Sequence, residues 1–202
     1  ADLIFVSSGP VVVQALLGGD MKAGLAATNA VTSAVLAGAP LISMMSLINR
    51  PYYRCWVQPE ISRMDELRGK TLGVSRFGSV TDNLTRILLR RYNLEGAVQI
   101  RQMGGTTEMA AAFQRRQIDG AVMATVRVNA PMRMLADQAD LGIRYSNVVI
   151  AASRDYYRRH PDITEATVRA YLEGVAAVGQ QKERTLQVIQ KYTRLQDPKL
   201  IQ

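Results

Sequence analysis

Ala15-Leu-Leu-Gly-Gly-Asp-Met-Lys-Ala-Gly-Leu-Ala-Ala-Thr28 and Ala112-Phe-Gln-Arg-Arg-Gln-Ile-Asp-Gly-Ala-Val-Met-Ala-Thr125 are one pattern written twice. Each runs from a helix end through a polar turn to Met or Ile, then Lys or Asp, and into a small-residue strand that closes in Ala-Thr. Upstream of each copy lies another strand ending in glycine, Phe5-Val-Ser-Ser-Gly9 and Ile100-Arg-Gln-Met-Gly-Gly105. Self-similarity at this scale marks two structural units of one design. Each unit reads strand, glycine loop, helix, strand, which is the grammar of an α/β fold.

Outward from the repeat, strand-like and helix-like segments alternate. Strands are predicted at Leu3–Val6, Met21–Ala26, Thr71–Ser75, Val98–Gln102, Ala121–Met123 and Asn147–Ala151, with Leu41–Leu47 and Tyr52–Val57 extended. Helices are predicted at Val11–Leu17, Thr28–Leu36, Thr81–Tyr92, Thr107–Arg116 and Val128–Ala136, with a helical turn at Ser62–Leu67 and mostly helix from Thr164. Alternation of this kind predicts largely parallel sheets, because parallel neighbours need a helical crossover. The second repeat has one further strand and helix in front of it, Thr71 to Asn93. The first has none, so a matching strand and helix are expected before Ala1, and edges left open by that gap predict a possible dimer.

Composition narrows the chemistry. The 202 residues carry a net charge of +8 but no run of five basic residues; the doublets Arg90-Arg91, Arg115-Arg116 and Arg158-Arg159 fall in helical stretches. Charge so dispersed reads as solvated helix faces and not as a nucleic-acid surface. A single Cys (Cys55) and a single His (His160) argue against a disulfide scaffold and a multi-His metal site. The apolar stretch Ala34–Ile48 is broken by Gly38 and Pro40 and is shorter than the ~20 residues of a spanning helix.

In open α/β sheets the ligand sits beyond the carboxyl ends of the strands, where loops lead into helix N-termini and free N–H groups accept oxyanions. The loops expected there are Ser7-Ser8-Gly9, Thr28-Asn29, Arg76-Phe77-Gly78-Ser79, Gly104-Gly105-Thr106, and Thr125 with Arg127. Arg76-Phe77-Gly78-Ser79 offers a cation, an aromatic face, backbone donors and a hydroxyl; read blandly, it is a strand–helix turn capped by Ser79 or Thr81, and Asp82 would repel an anion in contact. Tyr52, Tyr53 and Trp56 either stack on a ligand or pack an inter-lobe strand.

Catalysis finds little support. Cys55 lies in an apolar strand, as a buried inert thiol does. His160 precedes Pro161 in a charged turn and reads as exposed and structural, leaving no Ser–His or Cys–His arrangement. Asp65 and Glu66 are adjacent and do not face each other on a helix. No GxxxxGK[ST] or GxGxxG motif occurs, so no cofactor is expected.

Glu66-Leu-Arg-Gly-Lys-Thr-Leu-Gly-Val-Ser-Arg-Phe-Gly-Ser79 resembles a motif of periplasmic solute-binding proteins of ABC importers, in the nitrate/sulfonate/taurine-binding and NMT1/THI5-like group. Ala37-Gly-Ala-Pro40, Gln102-Met-Gly-Gly105 and Gln117-Ile-Asp-Gly-Ala-Val122 fit that group in the same order, so the resemblance runs from about Leu3 to Thr167. It implies the type II periplasmic-binding-protein fold: two α/β lobes, each a mainly parallel sheet flanked by helices, joined by two hinge strands. Lobe one would be residues 1–56 plus 148–202 and lobe two 57–147, with hinge strands near Tyr52–Val57 and Asn147–Ala151. Lys22 stands where the group, like Asp119 in the second repeat, usually has Asp. Members run longer at both ends. The resemblance further implies a small, anionic or oxygen-rich solute in the cleft, a membrane permease as partner, no covalent chemistry, and a place in the periplasm or on a lipid anchor outside the inner membrane. Two other readings stay open: the ligand-sensing effector domain of a LysR-type regulator, and a thiamine-pyrimidine synthase-like enzyme.

Overall fold

The computed structural model describes residues 4, 6, 8–124, 130–142 and 144–193. The chain divides into two compact units, 1–156 and 157–202. The first unit holds two sheets. One consists of β1 (Ala23–Ala27), β8 (Val148–Ser153) and β2 (Leu41–Ile48) in that order. The other runs β5 (Gln99–Gln102), β4 (Thr71–Val74), β6 (Gly120–Met123), β3 (Arg54–Val57), β7 (Arg133–Asp137). Helices α1 (Gly9–Gly18) and α2 (Thr28–Leu36) accompany the first sheet, α3 (Val80–Arg91) and α4 (Thr106–Gln114) the second. Helix α5 (Arg154–Arg159) spans the division; α6 (Pro161–Gln180) and α7 (Lys182–Thr193) belong to the second unit.

The duplicated pattern is present in three dimensions. Val12 and Leu16 are the buried face of α1; at the equivalent positions Met109 and Phe113 are buried on α4. Both helices end in a left-handed residue at the same repeat position, Gly19 at φ +83° and Arg116 at φ +56°. Both then enter a strand, β1 or β6, that pairs antiparallel with a strand from the other half of the sequence. The triplet β1-β8-β2 thus matches β6-β3-β7.

That exchange of strands corrects the expectation of mainly parallel sheets. Strands β4, β5 and β6 are parallel, as the βα alternation requires. In the first sheet, β1 and β2 both pair antiparallel with the inserted β8, and in the second, β6 and β7 both pair antiparallel with β3. The crossover rule fixes β1 parallel to β2 but does not forbid a returning strand between them. A second correction concerns Val128–Ala136. Residues 125–129 lie outside the described residues, and Arg133–Asp137 is strand. Pro131 stops a helix there, and pairing of Cys55 with Ala136 and of Arg54 with Asp137 overrides the helix preference of Met134, Leu135 and Ala136. The predicted strand Leu3–Val6 lies mostly outside the described residues; Ile4 and Val6 are in no strand.

Helix α3 shows why the second sheet is well covered. Ser79 caps it by accepting from the Asp82 N–H, Asp82 lies in its first turn and Arg90 and Arg91 in its last, each sign matching the helix dipole. Leu84 and Leu88, one turn apart, are fully buried over Leu72 and Val122. In the first sheet the repeat equivalent of Val122 is Leu25, and it is 56% exposed: among the described residues no helix covers that face as α3 covers β6. Asp119 ties the second sheet together by accepting from the Thr71 N–H at 2.8 Å. Its equivalent Lys22 instead donates to the Gly19 carbonyl at 3.0 Å.

Candidate functional site

The carboxyl ends of β1, β4, β5 and β6 lead into the loops that the sequence marked, and the two sheets bring several of them together. Asn29, in the first turn of α2, donates from Nδ2 to the Gly78 carbonyl at 2.7 Å and to that of Ser79 at 3.3 Å. Gly78 has φ +75°, a conformation natural to glycine, and a Cβ there would lie 3.9 Å from Pro10 in the first turn of α1. Ser8–Gly9, Thr28–Asn29 and Arg76–Ser79 therefore share one locality. Gly9 is required by proximity: a Cβ would fall 2.5 Å from the Ala27 Cβ and 3.0 Å from its N, so α1 begins in contact with the end of β1.

Not every predicted donor is available. The Ser79 hydroxyl is buried in a network with Ser75 (3.0 Å) and Thr81 (2.9 Å), and the Gly78 N–H is taken by the Asp82 carboxylate at 2.8 Å. The Phe77 N–H donates to Gln102 Oε1 at 2.9 Å, and the Ser79 N–H to the Arg76 carbonyl at 3.1 Å. The N–H groups of residues 77–79 are all engaged, and Asp82 occupies the anion position at the start of α3. What it leaves over is the Phe77 ring, 51% exposed, and Arg76, whose Nε is enclosed without a partner. The Ser8 Oγ is likewise enclosed and unpartnered, although Ser8 stands at the N-cap of α1. Such unsatisfied groups are costly unless something bonds to them.

Gly104 and Gly105 precede α4. Gly104 has φ +105°, and its N–H donates to the Ser75 carbonyl at 2.8 Å. Gly105 is buried and stands at the N-cap; a Cβ there would meet the Glu108 carboxylate, and Thr106 beside it is exposed. Ser7, Thr125 and Arg127 lie outside the described residues.

Sequence reasoning missed the segment that crosses between the sheets ahead of β8. The Tyr145 hydroxyl donates to Asn29 Oδ1 (3.3 Å) and accepts from Asn83 Nδ2 (2.9 Å), joining α2 to α3. Burial pushes the Tyr145 phenol above its ordinary value, opposed by the Asn83 hydrogen bond. Ser146 Oγ lies 3.0 Å from Thr28 Oγ1 and 2.8 Å from Ser46 Oγ. Asn147 is fully buried; its N–H donates to the Ile48 carbonyl, its carbonyl accepts from Thr28, and its side-chain amide has no partner. Residues 141–146 carry neither periodicity nor a motif, so no sequence signal marked them.

Nucleophilic chemistry finds no footing at Cys55, which is wholly buried and whose thiol burial pushes up to about 12. Tyr53 is raised still further, first by burial and then by its neighbour Tyr52; the two rings lie 4.9 Å apart in a tilted pair. Among the described residues no three His, Cys, Asp or Glu side chains group as metal ligands.

The model of the NMT1/THI5-like family matches residues 2–184. The chain belongs to that family. Its fold is the two-lobed one of periplasmic binding proteins: the aliphatic sulphonate binding protein SsuA of Escherichia coli superposes with a TM-score of 0.78 over 93% of this chain, at 22% identity. The alkanesulfonate-binding protein SsuA of Xanthomonas axonopodis pv. citri, bound to MOPS, gives 0.86 over 98% at 19% identity. The ligand-binding component of an ABC-type import system of Staphylococcus aureus, with zinc bound, gives 0.77 over 99% at 14% identity. This NMT1/THI5-like chain spans only about two thirds of these proteins' length, 66%, 70% and 70% respectively. No curated protein matches it. Among the described residues no helix is long and apolar enough to cross a membrane.

Proposed function

We propose that this chain is the solute-binding part of an ABC importer, acting outside the inner membrane with a permease as partner. Residues 1–56 with 148–202 form one lobe and 57–147 the other. A small anionic or oxygen-rich solute (a sulfonate, nitrate, a taurine-like or a pyrimidine-like molecule) binds between them. The observation that carries this is the meeting of Asn29 with Gly78: loops at the carboxyl ends of both sheets face each other across one locality, with two enclosed polar groups, Ser8 Oγ and Arg76 Nε, left unpartnered beside them. An oxygen-bearing solute answers both. The Phe77 ring supplies an apolar wall and the start of α4 at Gly105 and Thr106 further N–H groups. The solute shifts the open–closed equilibrium by its better contacts in the closed state, and no bond is made or broken. Similarity to sulfonate-binding structures supports the fold and fits an anion, without selecting among solutes.

Calorimetric titration with alkanesulfonates, nitrate, taurine and pyrimidines tests the reading. One class is expected to bind saturably, and Arg76→Ala to weaken an anionic solute about tenfold or more, the range for a charge-assisted hydrogen bond. Silence across the panel from a folded protein refutes it.

A further inference from the structure

The two segments that cross between the sheets border an open pocket of about 590 Å3. Its wall includes Asn49 and Arg50 after β2, and Gly142, Arg144, Tyr145 and Ser146 ahead of β8. The volume falls in the range of small-molecule sites, roughly 300–1,000 Å3. Its chemistry is one-sided. Arg50 and Arg144 line it, and among the described residues no Asp or Glu does. Neither Arg50 nor Arg144 makes an ion pair or hydrogen bond among the described residues, whereas Arg54, Arg63, Arg86, Arg90, Arg116 and Arg169 all reach an acid. Asn49 accepts from Ser46 through Oδ1 at 2.7 Å, which leaves its Nδ2 as a donor. Like-charged side chains brought to one wall repel unless an anion lies between them, and guanidinium groups suit oxyanions because they donate in parallel pairs.

We propose that this cavity is a second, oxyanion-binding site, held by Arg50 and Arg144 with Asn49, and that its occupant pins the two crossing segments together. The site differs from the solute site in its residues, none of which belongs to the 8–9, 28–29, 76–79 or 104–106 loops, but it abuts it. Tyr145 and Ser146 line the cavity and bond to Asn29 and Thr28. An anion that fixes the 144–146 backbone fixes the groups that meet α2 and α3, so anion and solute affinities are coupled, each changing the other by the same factor. That coupling rests on the solute-binding reading; the anion site itself does not.

The probe is inorganic phosphate, titrated into the full chain by calorimetry at low and constant ionic strength. Saturable binding tighter than about 10 mM is expected. Arg50→Ala and Arg144→Ala are each expected to weaken it about tenfold or more, with Arg→Lys recovering part of the loss because charge persists while the paired donors do not. Both arginines are exposed, so unchanged circular dichroism and melting show the variants to be folded. Arg91→Ala, at an exposed position in the last turn of α3, is expected to leave phosphate binding intact. Binding that survives the double variant Arg50→Ala/Arg144→Ala, or is absent from the wild type, overturns the site. Where a solute from the panel binds, its affinity is expected to shift with phosphate in the wild type and not in the double variant; an equal shift in both overturns the coupling. Phosphate binding alongside a silent solute panel sinks the function proposed above and leaves the anion site standing.

Discussion

Gly9→Ala is the sharpest test of how the first sheet presents its loops. The new Cβ would sit 2.5 Å from the Ala27 Cβ, 3.0 Å from the Ala27 N and 3.3 Å from its Cα. Two of these three atoms are backbone within a paired strand, so no rotamer change relieves the contact. The start of α1 has to lift away from β1. Overpacking of this kind costs about 1–3 kcal/mol. The helix-propensity gain of Ala over Gly, at most about 1 kcal/mol in a helix interior, is smaller at a first position and does not cancel it. At about 2–4 °C per kcal/mol for a chain of this size, the melting temperature should fall by a few degrees to about 10 °C. Ala27→Gly removes the nearest atom but not the other two, so a double-mutant cycle should show partial rescue, a coupling of about 0.5–1.5 kcal/mol. Gly174, inside α6 with nothing within 4 Å of a Cβ, is the matched control, and Gly174→Ala should stabilise by about 0.5–1 kcal/mol. Thermal unfolding followed by circular dichroism reads all four variants against the wild type. A Gly9→Ala protein that melts at or above the wild type, with no coupling to Ala27, refutes the close seating of α1 on β1 and the placement of Ser8 with it.

Four further outcomes follow from particular contacts. Val122→Ala should cost about 2 kcal/mol while Leu25→Ala, at the equivalent repeat position but 56% exposed, should stay within about 0.5 kcal/mol, as read by urea unfolding. Cys55, with its thiol pushed up to about 12, should have a thiolate fraction near 10⁻⁴ at pH 8, and its alkylation should proceed only at the rate of unfolding; rapid labelling of native protein would contradict its burial. Ser79→Ala removes the α3 cap and one partner from each of the Ser75 and Thr81 hydroxyls, which keep each other at 3.0 Å, for a loss of about 1–2 kcal/mol visible in the same unfolding curves. The Glu66 carboxyl is held below its ordinary value chiefly by the Ser62 N–H at 2.7 Å, so its stabilisation is complete above the unfolded value and is lost as pH falls through the lower folded one; a carboxyl titration by NMR that finds Glu66 raised would reverse the sign.

The repeat carried most of what the sequence could say. It placed α1 with β1 and α4 with β6, because helix periodicity, a polar turn and a small-residue strand are local properties that survive without tertiary information. It could not show that β8 enters the first sheet and β3 the second, since pairing between residues about 120 positions apart, such as Ala27 with Val148, leaves no local trace. Arg133–Asp137 failed for the same reason: good helix formers were captured by an edge beside β3. Of the candidate site, Asn29 and Arg76 could be placed together from sequence because a loop after a strand in a βα unit has a fixed place. The engagement of Ser79 and Gly78 by Asp82, Ser75 and Thr81 was not, since a capping hydroxyl and a ligand-binding hydroxyl look alike in sequence. Gln138 was invisible too: fully buried, it donates to the Leu84 carbonyl at 3.1 Å from a stretch that reads as polar loop.

The exchanged strands also decide where the first unit can move. Because β3 is hydrogen-bonded on both sides, to β6 and β7, and β8 on both sides, to β1 and β2, neither can shift without breaking a ladder. Any rotation of one sheet against the other has to be absorbed in residues 49–53 and 138–147, the only chain joining β2 to β3 and β7 to β8. Hinges concentrate in such short element-terminal segments. Tyr145 and Ser146, which bond to Asn29 and Thr28, and Arg50 and Arg144 all lie within those few residues. A ligand held by the arginines would therefore act on the moving part directly, with no need of a longer path through the protein.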